Sequence, residues 1–290
     1  MILNGVVEQA KIAHCLEERI KALKALYSLV PKLAVIVIGS RPASLLYVEK
    51  KQEFASRIGI QTEIFRLPAE SSLEECLDLI QTLNHDDSVH GILLQLPVPV
   101  ALDAQKLIET INPSKDVDGL HPLNMGKLVQ GVDALYPCTP QGCLHLIHQW
   151  RSDLRGLVAV VVGRSTLVGK PIAAMLLKEN VTVIQAHTHT KNLKDITRLA
   201  DILVVATGHP NLIQADFIKE GACVIDVGIS KNDQELTVGD VAFNAVKEKA
   251  SAISPVPGGV GPMTISYLMI NTLKSCCHFH KISWKNLLAL

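Results

Sequence analysis

No apolar run in this chain of 290 residues reaches the roughly 18–20 residues that a membrane-spanning helix needs. Neither sign of charge is in excess. The 28 Lys and Arg balance 28 Asp and Glu, so neither a field for a polyanion nor a nucleic-acid partner is expected. No C-x-x-C pair occurs among the seven cysteines, at 15, 76, 138, 143, 223, 276 and 277. The odd count and the missing pairs argue against a disulfide framework and for free thiols in a reducing compartment. A signal peptide is not expected either, because the opening stretch MILNGVVEQAKIAHCLEERIKALKAL carries acids among its bases and reads as an amphipathic helix. There is no long internal repeat and no low-complexity segment. These absences together lead us to expect a soluble, cytoplasmic protein with no membrane partner. By residue type the CCHFH stretch at 276–280 could hold a metal, but it reads as a helix end followed by a loose tail, with no metal.

What is present is core material. Hydrophobic residues make up 48% of the chain and charged residues 19%, enough for about two domains. Short β-branched runs alternate with helical stretches. LAVIVIG (33–39), QTEIFRL (61–67) and VHGILLQLPVP (89–99) read as strands, with helices over about 44–60, 72–84 and 103–112. The stretch 113–131 is rich in Gly, Pro and Asp and reads as the junction between domains. A long helix follows over about 140–151. The alternation then restarts with LVAVVVG (157–163), VTVIQA (181–186), DILVVATG (201–208) and ACVIDVG (222–228), each joined to the next by a helix. A final apolar helix occupies about 262–275. This order predicts an α/β protein with parallel sheets covered by helices.

In the second half, VVGRSTLVGKP joins a strand to a helix. Gly163 permits a tight turn, Gly169 close packing at the helix start, and Pro171 suits the first turn. A helix N-terminus there would offer free N–H groups and a positive dipole to a phosphate. The spacing is G-x-S-x-x-x-G rather than G-x-G-x-x-G, so context carries the reading: it follows the first strand of a run of β-α units. The next strand ends in HTHTK (187–191). NAD-binding folds usually place an acid about 20 residues past the glycines, and none is present. Arg164, Thr188 and His189 could hold a 2′-phosphate instead, which favours NADP over NAD. His187 and His189 also read as solvated loop histidines. ATGHP (206–210) and DVGIS (226–230), the latter including Ile229, would rim the same crevice.

In the first half, the stretch 44–60 wound at about 100° per residue puts Ser44, Tyr47, Val48, Lys51, Phe54, Ala55 and Ile58 on one face. A lysine thus sits near the centre of a face meant for the core. It reads either as snorkelling to water or as functional. Gln95 lies near the end of an otherwise apolar strand, and Asp116 and Asp118 follow in the loop beyond. Gly258, Gly259 and Gly261, with Pro262 at a helix start, could bring bare backbone against a flat ligand.

PASLLYVEKK, GILLQLPVP, KDVDGLHP, PCTPQG, VVGRSTLVGKP, GACVIDVGI and PVPGGVGPMT occur in this order over nearly the whole chain. The sequence resembles the bifunctional methylenetetrahydrofolate dehydrogenase/methenyltetrahydrofolate cyclohydrolase family. The resemblance implies two α/β domains flanking a cleft, the second a Rossmann-like doubly wound parallel sheet. It divides the chain into a folate-binding catalytic domain (1–118) and an NADP-binding domain (119–290). The C-terminal helix, about 262–290, packs back on the first domain. It also implies a homodimer and a place in one-carbon metabolism, tetrahydrofolate interconversion and purine biosynthesis.

The implied chemistry is oxidation of 5,10-methylenetetrahydrofolate by NADP⁺, then hydrolysis of the methenyl cation to 10-formyltetrahydrofolate. Carried over by motif, Lys51 is the catalytic lysine, Tyr47 packs on the folate, Gln95 hydrogen-bonds Lys51 and Asp118 holds the pteridine's amino edge. Gly259, Val260 and Pro262 line the folate and nicotinamide site. Arg164 and Ser165 contact the cofactor, joining Gly163, Gly169, Thr188, His189 and Ile229, which the reading of the residues places at the same site. Two positions depart from the family pattern. His189 stands where the family commonly has a Lys or Arg, which bears on NADP preference, and Glu53 stands where it often has a base, at an exposed position with no expected catalytic effect. Because the product is a cation, a nearby ammonium would oppose hydride loss, and burial favours a neutral lysine. The rival readings are an NAD-dependent dehydrogenase of the same fold without hydrolysis, and a non-catalytic nucleotide-binding redox sensor.

Overall fold

The protein, seen here as a computed structural model, is described over residues 1–232 and 235–284. Its first elements in chain order are α1 (Gly5–Tyr27), β1 (Lys32–Ile38), α2 (Pro42–Ile58), β2 (Gln61–Leu67), α3 (Leu73–His85), β3 (Gly91–Leu94), α4 (Ala104–Thr110) and α5 (Pro122–Gln130). Next come α6 (Cys138–Trp150), β4 (Val158–Val162), α7 (Gly169–Lys178), β5 (Thr182–Ala186), α8 (Leu193–Thr197), β6 (Ile202–Val205) and β7 (Cys223–Asp226). The chain ends with β8 (Ser230–Lys231), β9 (Thr237–Val238), α9 (Phe243–Val246), β10 (Ala252–Ile253) and α10 (Val260–Phe279). Two compact units result. One holds Lys11–Lys127, Asp133–Tyr136 and the chain from Leu268. The other holds Met1–Ala10, Leu128–Val132 and Pro137–Tyr267.

The first of these units is built on a three-stranded parallel sheet in the order β2-β1-β3. β1 is the middle strand, paired on both edges, and its near-continuous run of apolar residues is buried on both faces. α3 opens on a capping box in which the Ser72 side chain accepts from Glu75 N–H and the Glu75 carboxylate accepts from Ser72 N–H. Its Cys76, Ile80 and Leu83 join Ile36, Ile92, Leu94 and Leu107 in one core. The second unit is built on a five-stranded sheet, order β10-β7-β6-β4-β5, with every pair parallel. Counted from its own first strand the order is 2-1-3-4-5, a doubly wound Rossmann-like arrangement with its switch point between β4 and β6. The α/β reading with parallel sheets therefore holds.

Several expectations change in detail. The helix expected between β6 and β7 is a single 3-10 turn, Ala215–Phe217. The segment carries Pro210 and a left-handed Asn211, and Ile213 spends its backbone on a bridge to Val241, so no longer helix can form. The junction 113–131 contains a helix, α5. Its Pro122 starts it without needing an N–H, and Gly126 faces open space, so its turn-like composition concealed it. β3 stops at Leu94, short of Pro97 and Pro99, which lack N–H donors.

The residues expected to begin the first domain group differently. Met1–Ala10 belong with the five-stranded sheet, because Leu3 N–H donates to Ile253 O (2.9 Å) and Ile253 N–H to Met1 O (3.0 Å), extending β10. α10 ends at Phe279, and the last residues of the expected 262–290 helix lie outside the described ones. From Leu268 onward the chain belongs with the three-stranded sheet. There the Asn271 amide donates to Val117 O (2.8 Å) and Tyr136 O (2.9 Å), and the Ser275 hydroxyl donates to Ser114 O (2.6 Å).

Candidate functional site

Open α/β sheets bind ligands outside the carboxyl ends of their strands, at the switch point. In the three-stranded sheet that point lies between β1 and β3, and each strand end delivers one polar side chain. After β1, Gly39 turns at φ +82° and Pro42 starts α2. Ser44, Val48, Lys51, Phe54, Ala55 and Ile58 are all buried, whereas Glu49, Lys50, Gln52, Glu53 and Arg57 are exposed. Lys51 is only 8% exposed, and Tyr47, one turn earlier, is half-buried, with burial pushing its phenol upward in pKa. After β3, Gln95 N–H continues the ladder to Ile36 O (2.9 Å). Its side-chain amide donates to Leu96 O (2.7 Å), which leaves Oε1 to accept from Lys51 Nζ (2.8 Å). The amine is therefore held by an oriented acceptor rather than released to water.

The loop carrying Asp118 is built on its neighbour. Asp116 is buried, and its carboxylate accepts from Gly119, Leu120 and His121 N–H and from the Asn124 amide, at 2.8–3.3 Å. Burial pushes its pKa up, and these bonds partly offset the shift. Asp118 is half-buried. Asp116 is thus the anchor of the turn.

In the five-stranded sheet the switch point is Gly163, after β4, against Ala206, after β6. Gly163 has φ +127°, and a Cβ on it would lie 2.3 Å from Ala206 O. A Cβ on Gly169 would lie 2.3 Å from Gly163 O, so both glycines are required for the turn to close. The helix start differs from expectation. Ser165 Oγ accepts from Val168 (3.1 Å) and Gly169 N–H (3.3 Å), and Ser165 O accepts from Lys170 N–H (3.0 Å). Those N–H groups are spent within the chain rather than offered to a phosphate. Ser165 keeps its hydroxyl proton to donate, and the helix dipole remains. Arg164, Ser165, Thr188 and His189 are exposed, and Ile229 is a 53% exposed apolar side chain. The turn after β5 carries no acid. His189 N–H donates to His187 Nδ1 (3.2 Å) and His187 N–H to Thr190 Oγ1 (2.8 Å), closing it on itself. The turn thus presents hydroxyl and imidazole groups and no carboxylate.

The glycine loop 258–261 has internal reasons for its composition. Gly258 has φ +103°, a Cβ on Gly259 would meet Pro255 O at 2.6 Å, and a Cβ on Gly5 would meet Gly259 O at 1.8 Å. Gly259 and Val260 are buried, and Pro262 is half-buried, its carbonyl accepting from the Gln9 amide (2.8 Å). Backbone packing alone thus accounts for two of the three glycines, and Gly5 is a participant that the sequence reading missed.

His90, Cys276 and His280 bring three potential metal-ligating atoms within 4.8 Å of one another, so the CCHFH segment is tied down rather than loose. The imidazoles are already committed. His90 Nδ1 accepts from Lys32 N–H (3.0 Å), which puts its proton on Nε2, facing His280 Nε2 at 3.2 Å. A cation at His90 Nε2 would have to displace that proton, so the pair is a hydrogen bond between rings. Burial, helped by His280 and Lys115, pushes His90 down to about 4. Its folded pKa lies below the unfolded one, so its contribution is complete above about pH 6.5 and is lost as pH falls toward 4. Wild type should therefore lose about 3 kcal/mol more than His90→Gln between pH 7 and 4. Urea unfolding of both proteins across that range measures it, and the comparison cancels the opposite trend from Asp226, pushed up to about 6 by burial.

A doubly wound sheet with a closed glycine turn, together with a buried lysine–amide pair at a second switch point, defines an α/β enzyme of the dinucleotide-binding class. Comparison with known proteins makes this specific. Residues 3–118 match the model of the tetrahydrofolate dehydrogenase/cyclohydrolase catalytic domain, and residues 137–280 match that family's NAD(P)-binding domain. The chain is 49% identical over 281 residues to the bifunctional protein FolD of Wolbachia pipientis subsp. Culex pipiens, covering 96% of this chain and 95% of that one. The crystal structure of the bifunctional enzyme FolD from Campylobacter jejuni is 45% identical with a TM-score of 0.94, covering 96% and 99%. That of Trypanosoma brucei FolD, complexed with NADP cofactor and an inhibitor, is 34% identical with a TM-score of 0.91, covering 96% and 97%. This chain belongs to the tetrahydrofolate dehydrogenase/cyclohydrolase family.

Proposed function

We propose that the protein oxidises 5,10-methylenetetrahydrofolate with NADP⁺ and hydrolyses the resulting 5,10-methenyltetrahydrofolate to 10-formyltetrahydrofolate. The observation that carries this reading is the match of both halves of the chain to one bifunctional family. Residues up to about 118 take the folate and later ones the nucleotide. The cofactor, when bound, supplies the hydride acceptor. Gly163 and Gly169 let the chain close around the pyrophosphate, Arg164, Ser165, Thr188 and His189 hold the phosphates and ribose, and Ile229 covers the nicotinamide. Tyr47 stacks on the folate, Asp118 holds the pteridine's amino edge, and Gly259, Val260 and Pro262 form backbone wall.

Lys51 works as an amine that is partly neutral in the ternary complex. Hydride loss leaves a positive charge shared between two folate nitrogens, and a neutral amine tolerates it. In the second step water adds to the one-carbon bridge and Lys51 takes one of its protons; as one carbon–nitrogen bond then breaks, the remaining hydroxyl proton passes to the departing nitrogen and the formyl group stays on the other. Gln95 holds the amine in register, as the 2.8 Å bond supports. The enzyme acts as a cytoplasmic homodimer and feeds one-carbon units to purine biosynthesis.

The test is direct. Methylenetetrahydrofolate with NADP⁺ should generate NADPH absorbance, and methenyltetrahydrofolate supplied alone should be hydrolysed faster than in buffer. NAD⁺ in place of NADP⁺ should give a kcat/KM lower by about tenfold or more, the expected effect of losing a phosphate contact. Equal rates with both nucleotides would remove the 2′-phosphate role from Arg164 and His189.

A further inference from the structure

Two buried aspartates at the carboxyl end of the five-stranded sheet are unused by this mechanism. Asp240 has no exposed surface. Its Oδ2 takes three donors: Thr207 N–H (2.6 Å), Thr207 Oγ1–H (2.9 Å) and Gly208 N–H (2.9 Å). Its Oδ1 has no hydrogen-bond partner among the described residues. That oxygen instead rests on Gly228, where a Cβ would lie 2.2 Å from it. Asp226 mirrors the arrangement. Its Oδ1 accepts from Gly228 (3.0 Å) and Asp240 N–H (2.9 Å) and its Oδ2 from Val241 N–H (2.9 Å), while a Cβ on Gly239 would lie 1.9 Å from Oδ2. Each carboxylate thus occupies the space left bare by a glycine beside the other.

We infer that Asp240 is a positioning residue for the cofactor: it locks the loops after β6 and β7 into the shape that receives the nicotinamide half of NADP⁺. The inference rests on the reading above that 206–210 and 226–230 rim the cofactor site. A dinucleotide straddles the switch point. The ribose-reading turn follows β5, on one side of β4, so the nicotinamide half falls on the side of β6 and β7. These are the two strands whose end loops Asp240 joins. Leaving a buried carboxylate oxygen unpaired is costly, and a loop needing only a turn has no use for it. The cost is offset when the loops must hold one arrangement before the ligand arrives.

Asp240→Asn keeps an acceptor for Thr207 but turns an N–H toward Gly228 in place of Oδ1, which loosens the joint. We expect the NADP⁺ dissociation constant, measured by titration calorimetry, to rise about tenfold. Hydrolysis of methenyltetrahydrofolate supplied without nucleotide should stay within about twofold of wild type, a split that a general loss of structure would not give. Thr207→Val keeps the shape, removes one of the three bonds and should raise the constant about threefold. If Asp240→Asn does not fold, Thr207→Val decides in its place. Ile229→Ala tests the underlying reading. A raised constant there, with Asp240→Asn and Thr207→Val unchanged, overturns the inference and leaves that reading intact. No change in any of the three overturns the reading and the inference with it. Loss of hydrolysis in parallel with NADP⁺ binding in the folded variants also overturns the inference.

Discussion

Lys51→Met is expected to lower methenyltetrahydrofolate hydrolysis by about 10³-fold, the middle of the range for a positioned acid–base group. The protein should remain folded, because the position is almost closed to solvent and lies between Val48 and Phe54 on the buried face of α2. Methionine fills that face without an amine. The substitution also strands Gln95 Oε1, which has Lys51 as its acceptor-side partner while Nε2 stays on Leu96 O. That loss costs about 1 kcal/mol, and relief from desolvating the amine offsets it. Hydrolysis assayed with the methenyl compound, alongside a thermal melt, separates the two effects. Retention of more than about a third of the activity would remove Lys51 from the chemistry.

Asp116→Ala should be the most destabilising of these changes. One side chain gathers three backbone N–H groups and the Asn124 amide. Its loss strands buried donors, each costing about 1 kcal/mol or more, and we expect about 3–4 kcal/mol in denaturant unfolding. Burial pushes its pKa up, so the carboxylate is held there at a cost that the four donors repay only together. Folate affinity should fall with stability, since Asp118 rides on the same turn. A loss below about 1 kcal/mol would show that the turn holds itself without the anchor.

Much of this was legible in the residues. β1 reads as a buried strand because it is the central strand of its sheet, and the 3.6-residue period of α2 is enough to place Lys51 on the inner face. Gln95 was legible as the one amide in an apolar strand. What could not be read were properties of pairs distant in sequence. Ser165 reads as a phosphate ligand until Val168 and Gly169 are seen to use its oxygen. The glycines 258 and 259 read as a ligand platform until Gly5 and Pro255 are found against Gly259. Asp116 looked like any turn aspartate, since its value lies in Asn124, eight residues later. Asp240 gave no local signal at all, because its partners lie 32 and 33 residues earlier in the chain.

The order of residues along the chain and their membership of the two units do not coincide. Met1–Ala10 complete the sheet that is otherwise made from Pro137 onward, and the stretch from Leu268 supplies Asn271 and Ser275 to the sheet made before Lys127. A gene split at the Gly- and Pro-rich stretch near residue 118 would therefore yield two fragments, each missing a piece encoded on the other. No single cut in such a chain releases either unit whole.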